Sequence, residues 1–183
     1  MPKYPLPPDS LIADALERID YADNYGQLTS ATVQLEQLPV LFFRVFPSWF
    51  TALMGLREII ARWVGLKTAD GMDVRQQMRD FKGEVGESIA LFHVLGRNSN
   101  EILFGEDDQH LNFRLSFIKE TQGAQTCIQL ATTVQYTGWM GRVYFFFVRP
   151  IHRLAVPLIL RRMVRYLEQQ NDSSSSITQT HSV

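Results

Sequence analysis

A single cysteine, Cys127, stands in a chain of 183 residues. One thiol forms no intramolecular disulfide and no cysteine-based zinc site. Within an alternating apolar stretch it reads as a buried, inert group. Charge of one sign is also missing in bulk, with 18 Lys and Arg against 19 Asp and Glu. Nothing in that balance calls for nucleic acid, and no helix-turn-helix or RNP-like frame accompanies the arginines. The motifs GxGxxG, GxSxG and HExxH are absent, which removes the dinucleotide-fold, nucleophile-elbow and zincin readings. No cofactor and no metal are therefore expected. The opening MPKYPLPPDS has four prolines and no apolar h-region, so a cytoplasmic, reducing location is the expectation.

The chain also lacks a long apolar run free of charge. Its longest candidate, Val143 to Leu160, holds eleven Val, Ile, Leu and Phe residues. These would gain about 3–7 kcal/mol on insertion, while Arg149 and Arg153 at the centre cost about 5–7 together. A transmembrane segment is not expected; a soluble or interfacial helix is.

What is present is a change of period. Ser10 can cap a short helix, LIADALER, with Leu11, Ala15 and Ile19 on one face. Tyr21 to Ser30 alternates weakly, as a strand. The segment VQLEQLPVLFFRVFPSWFTALMGLREIIARWVGLK reads as two helices broken near Pro47, the first bent at Pro39. In the second, Trp49, Leu53, Leu56, Ile60 and Val64 form one buried stripe, with Gly65 as its stop. A further short helix is expected around DVRQQMRDF.

From there the period is two. SIALFHVL, NEILFGE, HLNFRLSFIK and TCIQLATTVQY are separated by turn-type residues at 97–99, 107–109 and 121–124, which predicts an antiparallel meander. Leu111, Phe113, Leu115 and Phe117 share one face, and His110, Asn112, Arg114 and Ser116 the other. One dry and one wet face require helices on the dry side, and the segment after Thr137 is the obvious cover. The expected organisation is an extended segment at 1–10, one domain over 11–169 and a disordered tail at 170–183.

The charge that exists is unevenly spread. Residues 139–169 hold Arg142, Arg149, Arg153, Arg161, Arg162 and Arg165 against Glu168 alone. The plainer reading is pairing with the acidic strands; the sharper one is contact with an anionic surface. Phe145, Phe146 and Phe147 occupy successive steps of about 100° around a helix. They cannot all face one groove, so at least one should meet a second helix, a partner or lipid.

The runs ESIALFHVLGRNSNEILFGEDDQHLNFRLSF, GWMGRVYFFFVRPIHRL and FPSWFTALMGLRE resemble the START-like, or SRPBCC, superfamily of helix-grip proteins. Within it they look most like a domain-of-unknown-function branch, whose members occur alone or fused to NAD(P)-binding epimerase-like domains. The resemblance covers about residues 20–167, with GWxGRxYxxxxxPxHR as its most specific part. It implies an α+β helix-grip fold, an antiparallel sheet wrapped around a long C-terminal helix, and a hydrophobic cavity between them. It implies no catalytic residues.

The expected function is non-covalent binding of a small apolar or amphipathic molecule in that cavity. His93, Tyr136, Trp139 and Tyr144 are the candidate ligand-binding residues. His93 stands out as the one polar side chain alternating with Ile89, Leu91 and Leu95. A cyclase- or isomerase-like enzyme, with His93 or His152 moving a proton, is the second reading. A peripheral membrane or protein-interaction module using the aromatic and arginine-rich helix is the third. In the bland reading, His152 bonds a backbone carbonyl freed by Pro150. Glu106, Asp107, Asp108 and His110 have no spacing that fixes a metal and read as a turn, and Arg114 is expected to pair with Glu101 or Asp108. Oligomeric state is left open.

Overall fold

The computed structural model describes residues 3–46 and 73–180, with side chains through Ser173. Its strands are β1 (Tyr21–Thr29), β2 (Ser88–Ile89), β3 (Phe92–Arg97), β4 (Glu101–Asp107), β5 (Leu111–Gln122) and β6 (Gln125–Tyr136). Its helices are α1 (Gln37–Arg44), α2 (Val74–Asp80) and α3 (Gly138–Thr180). The second expected helix, with Trp49 to Val64 and its Gly65 stop, lies outside the described residues.

The predicted meander is present as one antiparallel sheet in the order β1-β6-β5-β4-β3-β2. The β5–β6 hairpin closes on two residues, with Gly123 at φ +63° as a II′-type turn requires at its first central position. β1 pairs along its whole length with β6, from Tyr21 opposite Val134 to Thr29 opposite Thr126. The weak alternation of Tyr21 to Ser30 is thus an edge strand beside the helix. The expected SIALFHVL strand is broken instead: Ala90 sits at φ +54° between β2 and β3, and a bulge follows between Val94 and Gly96.

One long helix lies over β1 and β6, so the fold is mixed α+β with a helix-grip-like arrangement. Ala155, Ile159 and Met163 are buried against the sheet's inner face, where Phe104, Phe117 and Leu130 are wholly covered. Leu38 and Phe42 of α1 complete this core. Among the described residues the hollow expected beneath the helix is occupied by these side chains. Pro39 lies in the first turn of α1, where its missing N–H costs nothing. α2 is capped by Asp73, whose carboxylate accepts the Gln76 N–H. α3 continues through Ser173 to Thr180, into the stretch expected to be disordered, with the Ser173 hydroxyl donating to the Gln169 carbonyl.

Gly138 and Gly141 set the helix start for different reasons. Gly138 adopts φ +76° at the junction with β6, a left-handed conformation that glycine accepts without strain. Gly141 passes so close to the β4–β5 turn that a methyl there would overlap the His110 carbonyl.

The wet face of the sheet turns out to be covered. Residues 3–20 cross it as an irregular arm, burying Ile12 against Leu103, Ile118 and Ala131. No helix forms at Leu11–Arg18, because the Leu11 and Ile12 N–H groups donate to Glu101 at 2.7 and 3.2 Å. Ser10 donates its hydroxyl to the Pro7 carbonyl. Arg114 pairs with Asp107 at 2.6 Å and reaches the Ala15 carbonyl, rather than pairing with Glu101 or Asp108 as expected; Glu101 is engaged by the arm and by the Ser116 hydroxyl.

Glu101 is therefore the polar peg of the arm. Replacing it by Ala removes the acceptor of the Leu11 and Ile12 N–H groups and of the Ser116 hydroxyl, and Glu101→Ala should lose about 3 kcal/mol in urea unfolding. A loss below about 1 kcal/mol, the size of one ordinary net hydrogen bond, would show that the arm is held by its apolar contacts alone.

Candidate functional site

β1 presents an unusual row to the helix. Register with β6 puts Tyr21, Asp23, Tyr25, Gln27 and Thr29 on the inner face, so every inward position of this strand is polar or hydroxyl-bearing. Asp23 carries a carboxylate with no exposed side-chain surface. Burying it costs several kcal/mol unless charge-assisted hydrogen bonds offset the lost hydration. Two partners do so. The Tyr21 hydroxyl donates to Oδ2, and His152 Nε2 lies 3.3 Å from Oδ1. A carboxylate can only accept, so the imidazole hydrogen belongs on Nε2.

The helix supplies the rest of the enclosure. Phe145 packs on the Tyr21 ring at 4.8 Å and on Tyr136 at 5.5 Å. The Arg149 and Arg153 guanidinium groups lie 5.5 and 5.9 Å from the Tyr21 ring centroid, within cation–π range. Burial, followed by the hydrogen bond to Asp23, raises the Tyr21 phenol well above its ordinary value of 10.0. Tyr25 is raised in the same direction, again first by burial and then by Asp23.

Thr132 stands directly opposite Asp23 in the β1–β6 register, which brings their Cβ atoms to about 5 Å. Its hydroxyl is buried without a hydrogen-bond partner among the described residues, as is Gln27 Oε1 farther along the row. Asn24 Oδ1 and Thr133 Oγ1 share that condition on the opposite face, beneath the arm. Thr132 differs from them in standing opposite a buried carboxylate, Asp23. The two prolines of α3 flank this region: Pro150 and Pro157 leave the Phe146 and Arg153 carbonyls without their usual i+4 donors.

The residues expected to bind a ligand do not share one pocket among the described residues. His93 lies on β3, half exposed and 3.4 Å from Glu106. It lines a shallow, open depression of about 360 Å³ with Leu95, Gly105, Glu106, Asp107 and Arg114. The strand break at Ala90 removes the alternation that would have turned it into the core. Tyr136 ends β6 against Phe145, its phenol raised first by burial. Trp139 is largely exposed in the first helical turn, and Tyr144 is half-buried on the flank of the helix. His152 is bonded to a carboxylate rather than to a freed carbonyl. Cys127 is buried, as its strand context implies, and burial raises its thiol. Asp23, Tyr21 and Thr132 escape a reading of the sequence; the available signal was an aspartate in the middle of a strand, a residue strands disfavour.

A family model described as "Protein of unknown function (DUF2867)" matches residues 15–159. The chain belongs to the DUF2867 family. The matched span holds Tyr21, Asp23, Thr132 and His152, so the whole cluster lies within the DUF2867 unit. No curated protein and no solved structure matches the chain.

The Tyr21 environment fixes a pH dependence. Its folded pKa is above the unfolded value of 10.0, so its contribution is whole below pH 10 and is lost as pH rises beyond it. Unfolding free energy measured by urea between about pH 9 and 11 should fall, and Tyr21→Phe should make that fall shallower. Equal slopes in the two proteins would show that Tyr21 does not carry it.

Proposed function

We propose that this domain binds a small, neutral, hydroxyl-bearing amphipathic molecule at the seam between β1, β6 and α3. The observation that carries this reading is the unpartnered Thr132 hydroxyl opposite the buried Asp23 carboxylate, which His152 also reaches. Unmatched polar groups of this kind are rare in folded proteins, and a water, an ion or another molecule can complete them. The carboxylate and the hydroxyl make the spot rich in acceptors, which favours a ligand that donates. Arg149 and Arg153 beside Tyr21 disfavour a cationic one. The apolar end of such a molecule would meet the cluster of Tyr21, Val134 and Phe145. The filled core beneath Ala155–Val164 favours a short ligand over a long chain. Likeness to START-like helix-grip proteins, many of which bind apolar molecules under the corresponding helix, supports the same placement.

His152 against Asp23 also supports a second reading, acid–base chemistry on the bound molecule. A histidine titration followed by NMR with and without ligand distinguishes the two, since a working base should change its titration when the site fills.

The binding reading is tested by native mass spectrometry of the purified protein, then by titration with neutral alcohols of graded chain length. Thr132→Val keeps shape and removes one hydroxyl, so affinity should fall about tenfold with the fold unchanged. Binding that is equal in Thr132→Val and wild type, or no alcohol bound at all, would remove the seam as the site.

A further inference from the structure

Phe145 points into the core, while its two neighbours do not. Phe146 and Phe147 are 73% and 66% exposed, Trp139 is 74% exposed and Leu154 73%. With Val143, also exposed, they fall within an arc of about 100° on α3 at 100° per residue. The buried residues Ala155, Ile159 and Met163 occupy the opposite side. Trp139 to Leu154 covers about 22 Å of helix, a continuous apolar stripe of a size that folded proteins seldom leave in water. Residues 138–167 contain no Asp or Glu. The same outward face continues into exposed Arg161 and Arg165, and exposed Arg142, Arg149 and Arg153 run along one flank.

We infer that this face of α3 docks on an anionic lipid surface, lying along it with the aromatic stripe in the headgroup layer. The charge pattern selects the occupant. A row of cations beside the apolar stripe matches lipid phosphates, and Trp and Phe favour the boundary between headgroups and chains. By length and composition, α3 over Gly138–Ser173 also qualifies as a membrane-crossing helix, with 28% of its apolar window buried. Crossing would require stripping Ala155, Val156, Ile159, Leu160, Met163 and Val164 from the sheet that buries them. Docking leaves that packing intact. This inference does not depend on the ligand-binding reading, because the stripe, Arg161 and Arg165 face away from the seam, and only the flanking Arg149 and Arg153 border both.

The test is co-sedimentation of the full chain with vesicles of phosphatidylcholine alone and with phosphatidylglycerol added. Wild type should bind the mixed vesicles at low salt, release as salt rises and ignore the neutral ones. Arg161→Glu with Arg165→Glu should weaken binding roughly tenfold or more. Phe146→Ser with Phe147→Ser should weaken it at least as much while leaving the thermal midpoint unchanged. Absence of wild-type binding to mixed vesicles at low salt overturns the proposal. So does a lowered thermal midpoint in the Phe variant, which would mean that the chain itself covers the stripe. A concentration-dependent dimer that the Phe variant abolishes would assign the stripe to a second copy and overturn it equally.

Discussion

The contact between Asp23 and His152 is the constraint around which the helix and the edge of the sheet are arranged. A carboxylate placed in the middle of β1 and turned towards an apolar core is tolerable only if something cationic or hydrogen-donating reaches it. Tyr21 does so from its own strand and His152 from the helix. The second of these fixes where along β1 the helix must lie. Phe145 then reaches Tyr21 and Tyr136, Ala155 and Ile159 reach the inner face, and the arginines at 149 and 153 come over the Tyr21 ring.

This placement gives α3 two unlike faces. Its inner face is ordinary core, continuous with Phe104, Phe117 and Leu130. Its outer face carries aromatic side chains and arginines that the described part of the fold leaves uncovered. The two prolines sit between the aromatic half and the arginine-rich half. The polar seam lies under the first of these halves and the filled core under the second, so any small molecule held by Asp23 and Thr132 would be bound directly beneath the surface-seeking stripe. Binding at the seam and docking of the helix are separate properties, but the geometry puts them on opposite sides of one helical segment.

Much of the architecture was legible because it depends on local rules. Alternation with period two placed Leu111, Phe113, Leu115 and Phe117 on the dry face, and they line the core as read. Three consecutive phenylalanines cannot all face one groove, and Phe145 indeed parts from Phe146 and Phe147. Other features depend on distant partners and were hidden. Ser10 and LIADALER carry helix signals, yet Glu101, some ninety residues on, captures the N–H groups of Leu11 and Ile12. His93 reads as a core residue until Ala90 breaks the strand. Asp23 could be flagged as out of place in a strand, but its partner is 129 residues away, and no local pattern links β1 to His152. The site was therefore harder to read than the fold, since its members meet only after the sheet closes on the helix.

The most direct test of this account is a long-range nitrogen–proton NMR spectrum of the imidazoles, comparing wild type with Asp23→Asn. The account predicts that His152 holds its hydrogen on Nε2 in a hydrogen bond, and that its ring signals move strongly when the carboxylate becomes an amide. A His152 spectrum typical of an imidazole free in water, and indifferent to the change at position 23, would contradict it.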